Sequence, residues 1–156
     1  MKKNLFIREL TEFNWDISSR EELLERFTDS AESKGYVKPS YRAAIAEREA
    51  KFPTALPTQP EAIAIPHADA EHIIKPFIAP IRLRTPVPWL DMGDRETVHD
   101  VRFIFALGFN NTDGHVQVLQ LLVNNFQNPE FTQALNDASD ADSFFEAVIS
   151  MDGLAE

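Results

Sequence analysis

The stretch Ala62-Ile63-Ala64-Ile65-Pro66-His67-Ala68-Asp69 decides how the rest of the chain is read. Ala62 to Ile65 are small or β-branched and apolar without alternation, the pattern of a short strand covered on both faces and therefore central in a sheet. Pro66 has no N–H to give the ladder and stops the strand. His67 is thereby delivered at a strand's carboxyl end, where open α/β sheets collect ligands and chemistry. A histidine that merely tips a strand fits the same residues, so the question is whether other parts of the chain converge on it.

Upstream, a helix is expected from about Pro39-Ser40 to just before Pro53, with Tyr41, Ala44, Ile45 and Arg48 on one face. Arg48 ends an apolar stripe with a permanent charge. Either its stem packs while its head reaches water, or the stripe points to a pocket where the guanidinium meets an anion. Phe52 to Pro60 holds three prolines and two threonines and is expected to be a loop. Thr54 and Thr58 there are able to bind an anion or simply to make local turns. Earlier still, Leu5 to Ile7 suit a first strand or an extended arm. Ser18 and Ser19, each with a glutamate three residues on, predict a helix running to about Lys34 and ended by Gly35. Its buried stripe is Leu23, Leu24, Phe27 and Ala31.

Downstream, His67, Asp69, Glu71 and His72 admit a metal-ligand reading, but their spacing fits no strong motif and HExxH is absent. Phe77 to Leu83 reads as a strand, and Pro76 and Pro80 place it at an edge or a bulge. Thr85 to Glu96 reads as a turn-rich excursion that Trp89 and Met92 fold back on the body. His99 to Leu107 is the clearest central strand. A polar turn from Gly108 to Gly114 then opens a helix with Leu119, Leu122, Val123 and Phe126 inward. His115 lies on that stripe in the first turn, where a capping or core histidine also fits. Asn128-Pro129 starts a helix with Phe131 and Leu135 inward. Ser139-Asp140 starts the last, with Ala141, Phe144, Phe145 and Val148 on one face.

With 156 residues and twelve phenylalanines the chain suits one domain, residues 1–156, with a real core. The expected fold is α/β, a mixed central sheet of four to five strands flanked by helices on both faces. A formal charge of −10 argues against nucleic acid and against anionic membrane surfaces, and is compatible with a basic protein partner. The absence of cysteine excludes thiol catalysis, disulfides and thiolate metal sites. Neither a signal-peptide pattern nor an apolar run of membrane length is present, so a cytoplasmic location is expected.

Three polar groups thus stand out: His67 at a strand end, Arg48 closing one apolar stripe and His115 opening another. Together they describe a pocket with one candidate nucleophile and two groups able to stabilise an anion, beside a helix start that offers N–H groups and a positive dipole end. At Arg48-Glu49, Phe52-Pro53-Thr54, Ala62 to His67 and His115 the chain resembles the IIA domain of the fructose–mannitol class of the bacterial phosphoenolpyruvate-dependent sugar phosphotransferase system. The run Ile45 to Thr54 is most similar to the galactitol branch. The resemblance covers about Leu5 to Ile149 and departs from the family at Ala55, where glycine is common. That departure weakens any role of Thr54 if the glycine is needed for a positive φ or for close backbone approach.

The resemblance implies that His67 is phosphorylated on its Nε2 (tele) nitrogen by phosphohistidine of the carrier HPr. Arg48 and His115 would stabilise the charge of a loose transition state, with Thr54 a further phosphate-binding candidate. A IIB subunit would then take the phosphoryl group through a cysteine of its own, and the membrane IIC component would recognise the sugar. No metal or cofactor is expected, since the donor delivers an activated group and the protein mainly positions it. A regulatory protein controlled by the phosphorylation state of His67 fits the same residues. A small hydrolase or metal protein built on His67, Asp69 and His72 leaves Arg48 and His115 unexplained.

Overall fold

Strands that are apolar on both sides need cover on both faces, and this sheet has it. The computed structural model describes residues 1–111 and 113–156. Thr112, in the expected polar turn, lies outside them. The strands are β1 (Glu12–Trp15), β2 (Ala55–Leu56), β3 (Ala62–Ala64), β4 (Phe77–Leu90) and β5 (Val98–Gly108). The helices are α1 (Arg20–Ser33), α2 (Tyr41–Lys51), α3 (Asp113–Phe126), α4 (Pro129–Asp137) and α5 (Ala141–Ile149). The five-stranded sheet runs in the order β1-β4-β5-β3-β2. The pairs β1·β4 and β3·β5 are parallel, and β4·β5 and β2·β3 antiparallel, so the expected mixed α/β sheet is found.

Alternation along β5 sorts the core into two layers. Ile104 and Ala106 meet α1 and α2 through Leu23, Phe27, Tyr41 and Ile45. Phe103, Phe105 and Leu107 meet α3, α4 and α5 through Val118, Leu122, Leu135 and Phe144. Phe126 stands edge-on to Phe103, Phe105 and Phe131 at 6.0, 5.8 and 5.5 Å. Such aromatic pairs contribute roughly 0.5–1.5 kcal/mol each beyond the area they bury. The helix starts follow the side chains that satisfy their free N–H groups. Ser19 accepts from Glu22 N–H ahead of α1, Asn128 from Glu130 N–H ahead of α4, and Asp140 forms a capping box with Ser143 ahead of α5. Gly35, at φ +83°, follows α1 in the left-handed conformation its position needs. No helix among the described residues is long and apolar enough to cross a membrane.

Several expectations are corrected. Leu5 ends a short 3-10 turn (Lys3–Leu5), and the segment meets the sheet through the Phe6 bridge to Ile78, where the Ile7 N–H donates to the Ile78 carbonyl at 3.1 Å. The first strand is β1, which is short, half-buried and too polar to stand out. The Phe52–Pro60 loop contains β2, a two-residue edge strand. β4 does not end at Leu83. Its pairing with β5 slips between Arg82 and Val87, which accommodates Pro86, and then resumes to Leu90, with Trp89 buried. Pro80 lies in this interior strand rather than at an edge. It falls between the Phe6 bridge at Ile78 and the start of β1 pairing at Ile81, where a missing N–H on that flank forfeits no ladder bond. In α3 the buried apolar side chains are Val118, Leu122 and Phe126, while Leu119 and Val123 are only partly buried, so the inward face is rotated from the expected one.

Gly108 closes β5 opposite Phe77, and a Cβ there would lie 2.3 Å from the Phe77 ring. Gly108→Ala should therefore destabilise the fold by about 1–3 kcal/mol through overpacking, read as a lower urea midpoint with unchanged slope.

Candidate functional site

Because β3 and β5 run parallel, their carboxyl ends lie side by side. The Leu107 N–H donates to the Pro66 carbonyl at 3.0 Å, and His67 forms a bridge with Leu107. This pins the part-buried His67 imidazole where β5 leaves the sheet toward α3. The first turn of α3 brings His115 back, and the two imidazole centroids stand 4.3 Å apart with their planes tilted by 33°. Phe109 packs edge-on against His115 at 5.3 Å. In the last turn of α2, Arg48 donates from Nη1 to Asp69 Oδ1 at 3.2 Å and has its guanidinium 5.7 Å from the Phe52 ring. His67, His115 and Arg48, predicted from three separate elements, are thus brought to one place.

Nδ1 of His67 lies 2.8 Å from the Ile65 carbonyl oxygen. A carbonyl only accepts, so Nδ1 carries the proton and the Nε2 lone pair is left for chemistry. Burial pushes the His67 pKa down; the Ile65 carbonyl pulls it up, Arg48 presses it down and Asp69 opposes that. Burial, then His67 and then Arg48, push His115 down to about 4, with Asp69 acting the other way. Both rings are therefore neutral near pH 7. Two polar atoms here are buried without a hydrogen-bond partner among the described residues: Arg48 Nε and His115 Nε2. Each such atom costs about 1–3 kcal/mol when left unpaired; Thr28 Oγ1, Tyr41 OH, Arg82 Nε and Trp89 Nε1 share that state elsewhere in the fold.

The threonines go elsewhere. Thr54 is buried, and its N–H and hydroxyl donate to the two oxygens of Glu49 at 2.8 and 2.6 Å. Its donors are spent, so the expected phosphate contact from Thr54 is not available. Glu49 was named only as part of a motif. It is a buried carboxylate whose burial raises its pKa, with the Trp89 indole beside it but outside hydrogen-bond geometry. A glutamate on the core-facing side of a helix end, followed by a buried threonine, was the available signal. Thr58 makes a local bond to the Glu61 carbonyl. Ala55 is fully buried in β2 opposite Ala64, and the positive φ found at a described non-glycine residue belongs to Asn14. Extended backbone at position 55 has no use for a glycine's freedom.

The expected free N–H groups of the α3 start are partly taken, since Asp113 and Gly114 both donate to the Asn111 side chain. His72 pairs through Nδ1 with Ser40 Oγ at 2.8 Å. Among the described residues no three histidine or acidic side chains gather as metal ligands.

Comparison with known proteins extends this picture. Residues 4–151 match the family described as "Phosphoenolpyruvate-dependent sugar phosphotransferase system, EIIA 2". The galactitol-specific EIIA component of Escherichia coli K12 is 30% identical over 132 residues, 85% of each chain. Among solved structures, Escherichia coli enzyme IIA for mannitol in complex with phosphorylated enzyme IIB superposes with a TM-score of 0.72 at 20% identity, covering 91% of this chain and 95% of that one. Nitrogen regulatory protein IIA-Ntr of Neisseria meningitidis gives 0.70 at 20% identity, covering 94% and 97%.

Both imidazoles hold protons less readily in the fold than when unfolded, so below the ordinary histidine range the unfolded chain binds more protons. Their contribution to stability is full above about pH 6.5 and is lost as pH falls, for His115 down to about 4. His115→Gln should flatten the fall in urea stability between neutral and acid pH. Glu49→Ala should cost about 2–3 kcal/mol, since it strands two buried Thr54 donors, and should lower the thermal midpoint accordingly.

Proposed function

This chain belongs to the EIIA type 2 family of the phosphoenolpyruvate-dependent sugar phosphotransferase system, and we propose that His67 is the residue on which it carries the phosphoryl group. Members of the family are phosphotransferases with a phosphohistidine intermediate. One observation carries the assignment to His67. Its Nδ1 is held by the Ile65 carbonyl, which leaves the Nε2 lone pair free, while the His115 ring stands 4.3 Å away and the Arg48 charge acts on both imidazoles.

The neutral His67 Nε2 attacks phosphorus of phosphohistidine on HPr. A new N–P bond forms, the donor's N–P bond breaks, and its electron pair returns to the donor nitrogen. The transition state is loose and spreads charge over three equatorial oxygens. Arg48 supplies a permanent positive charge, and neutral His115 donates from Nε2 in the tautomer that protonates it there. A IIB subunit then accepts the group. Galactitol or a related polyol is the transported class this reading favours, supported by the relative at 30% identity. A regulatory role would use the same site. The likeness to IIA-Ntr is one of fold and does not outweigh the galactitol relative.

With phosphoenolpyruvate, enzyme I and HPr, the chain should take an acid-labile, base-stable label that His67→Ala abolishes. Arg48→Ala or His115→Ala should slow labelling roughly 10²-fold, the usual loss for one preorganised donor, with circular dichroism unchanged. Full labelling of the His67→Ala variant would overturn the assignment.

A further inference from the structure

Phosphoryl capture by His67 has no evident use for a carboxylate in the same place, yet one is there. Asp69 follows the nucleophile by two residues and accepts from Arg48 Nη1 at 3.2 Å. Its side chain is 71% exposed, so it is not held there by packing. Its charge reaches both imidazoles, where it opposes Arg48. A phosphoryl group on His67 Nε2 needs the same guanidinium, so two anions compete for one cation.

We propose that Asp69 is a stand-in anion: it occupies Arg48 while His67 is bare, and once displaced it remains as a like charge that drives the phosphoryl group on to the acceptor. This rests on His67 being the phosphorylated residue. With His67 bare, Arg48 and Asp69 cancel and the imidazoles are neutral, so the guanidinium is held near the nucleophile without trapping a stray anion. An exposed ion pair is weak, and giving it up costs little. With His67 phosphorylated, Arg48 turns to the phosphoryl oxygens and Asp69 is left unpaired beside them. Both effects raise the phosphoryl group's tendency to leave. No bond to Asp69 forms or breaks. The group still passes from donor nitrogen to His67 Nε2 with each bonding pair returning to the nitrogen it leaves. Asp69 is therefore a positioning residue acting through Arg48 and through its charge.

The test equilibrates the full chain with a fixed ratio of phospho-HPr to HPr and reads the phosphorylated fraction by intact mass at alkaline pH. Asp69→Asn, which disturbs no buried contact, should raise the ratio of phosphorylated to bare protein about threefold, the scale of an exposed charge pair. High salt should shrink the increase. Asp69→Glu, which keeps the charge, should stay close to the unaltered protein. An unchanged or lowered ratio in Asp69→Asn, or an Asp69→Glu ratio matching that of Asp69→Asn, would overturn the proposal. His67→Ala run alongside separates the two readings: label on that variant refutes the phosphorylated residue, whereas an unlabelled His67→Ala with an unmoved Asp69→Asn ratio refutes Asp69 alone.

Discussion

Two imidazoles whose centroids stand 4.3 Å apart cannot both take the second proton that makes an imidazolium, beside a guanidinium, without strong repulsion. Everything in this site follows from that constraint. Burial comes first in keeping both rings neutral, Arg48 adds to it, and the His115 pKa is pushed down further by His67; a neutral ring is the only kind that offers a lone pair. The Ile65 carbonyl then settles which nitrogen of His67 keeps the proton, and so which one has a lone pair to offer in the proposed transfer. His115, neutral for the same reason, remains able to donate without adding a charge that would repel Arg48. One permanent cation and two neutral rings are what the local electrostatics permit.

The fold supplies this grouping by simple means. A parallel pair of strands, β3 and β5, brings two carboxyl ends together, and the Leu107–Pro66 hydrogen bond fixes their relative height. Arg48 and Glu49 are consecutive residues on α2, about 100° apart around the helix. One reaches the site while the other turns into the core and grips Thr54. The buried clamp fixes the end of α2 against the start of β2, and so fixes the base from which Arg48 extends. Thr54 thus serves the site through position rather than through contact.

How much of this was legible follows from which signals are local. His67, Arg48 and His115 were readable because each sits where an apolar pattern stops at a polar residue: a strand halted by proline, and two helical stripes. The central strand was readable because a run covered on both faces has nowhere else to go. β1 and β2 were not, since edge strands owe their existence to pairing partners distant in sequence, and neither carries enough apolar residues to declare itself. β4 was cut short because Pro86 and Pro88 look like breakers, and a slipped register that absorbs them is a property of the pair. Thr54 was misplaced because its partner Glu49 is charged, and buried carboxylates are uncommon enough that composition points the other way.

A carrier differs from a sink in how firmly it holds its cargo. If every donor nearby were free to bind a phosphoryl group, transfer would end there, since binding the bound state too well lowers its tendency to react. This site withholds donors. The N–H groups of Asp113 and Gly114 at the α3 start are spent on Asn111, those of Thr54 on Glu49, and the Arg48 guanidinium is shared with a carboxylate. Among the described residues, Arg48 Nε and His115 Nε2 are buried without a partner, and the rest of the Arg48 fork is reached past Asp69. The same economy explains why neutrality of the two rings matters: a protonated His115 would add a second full charge and deepen the well. With His67 bare, burial and the neighbouring charges keep that second charge off His115.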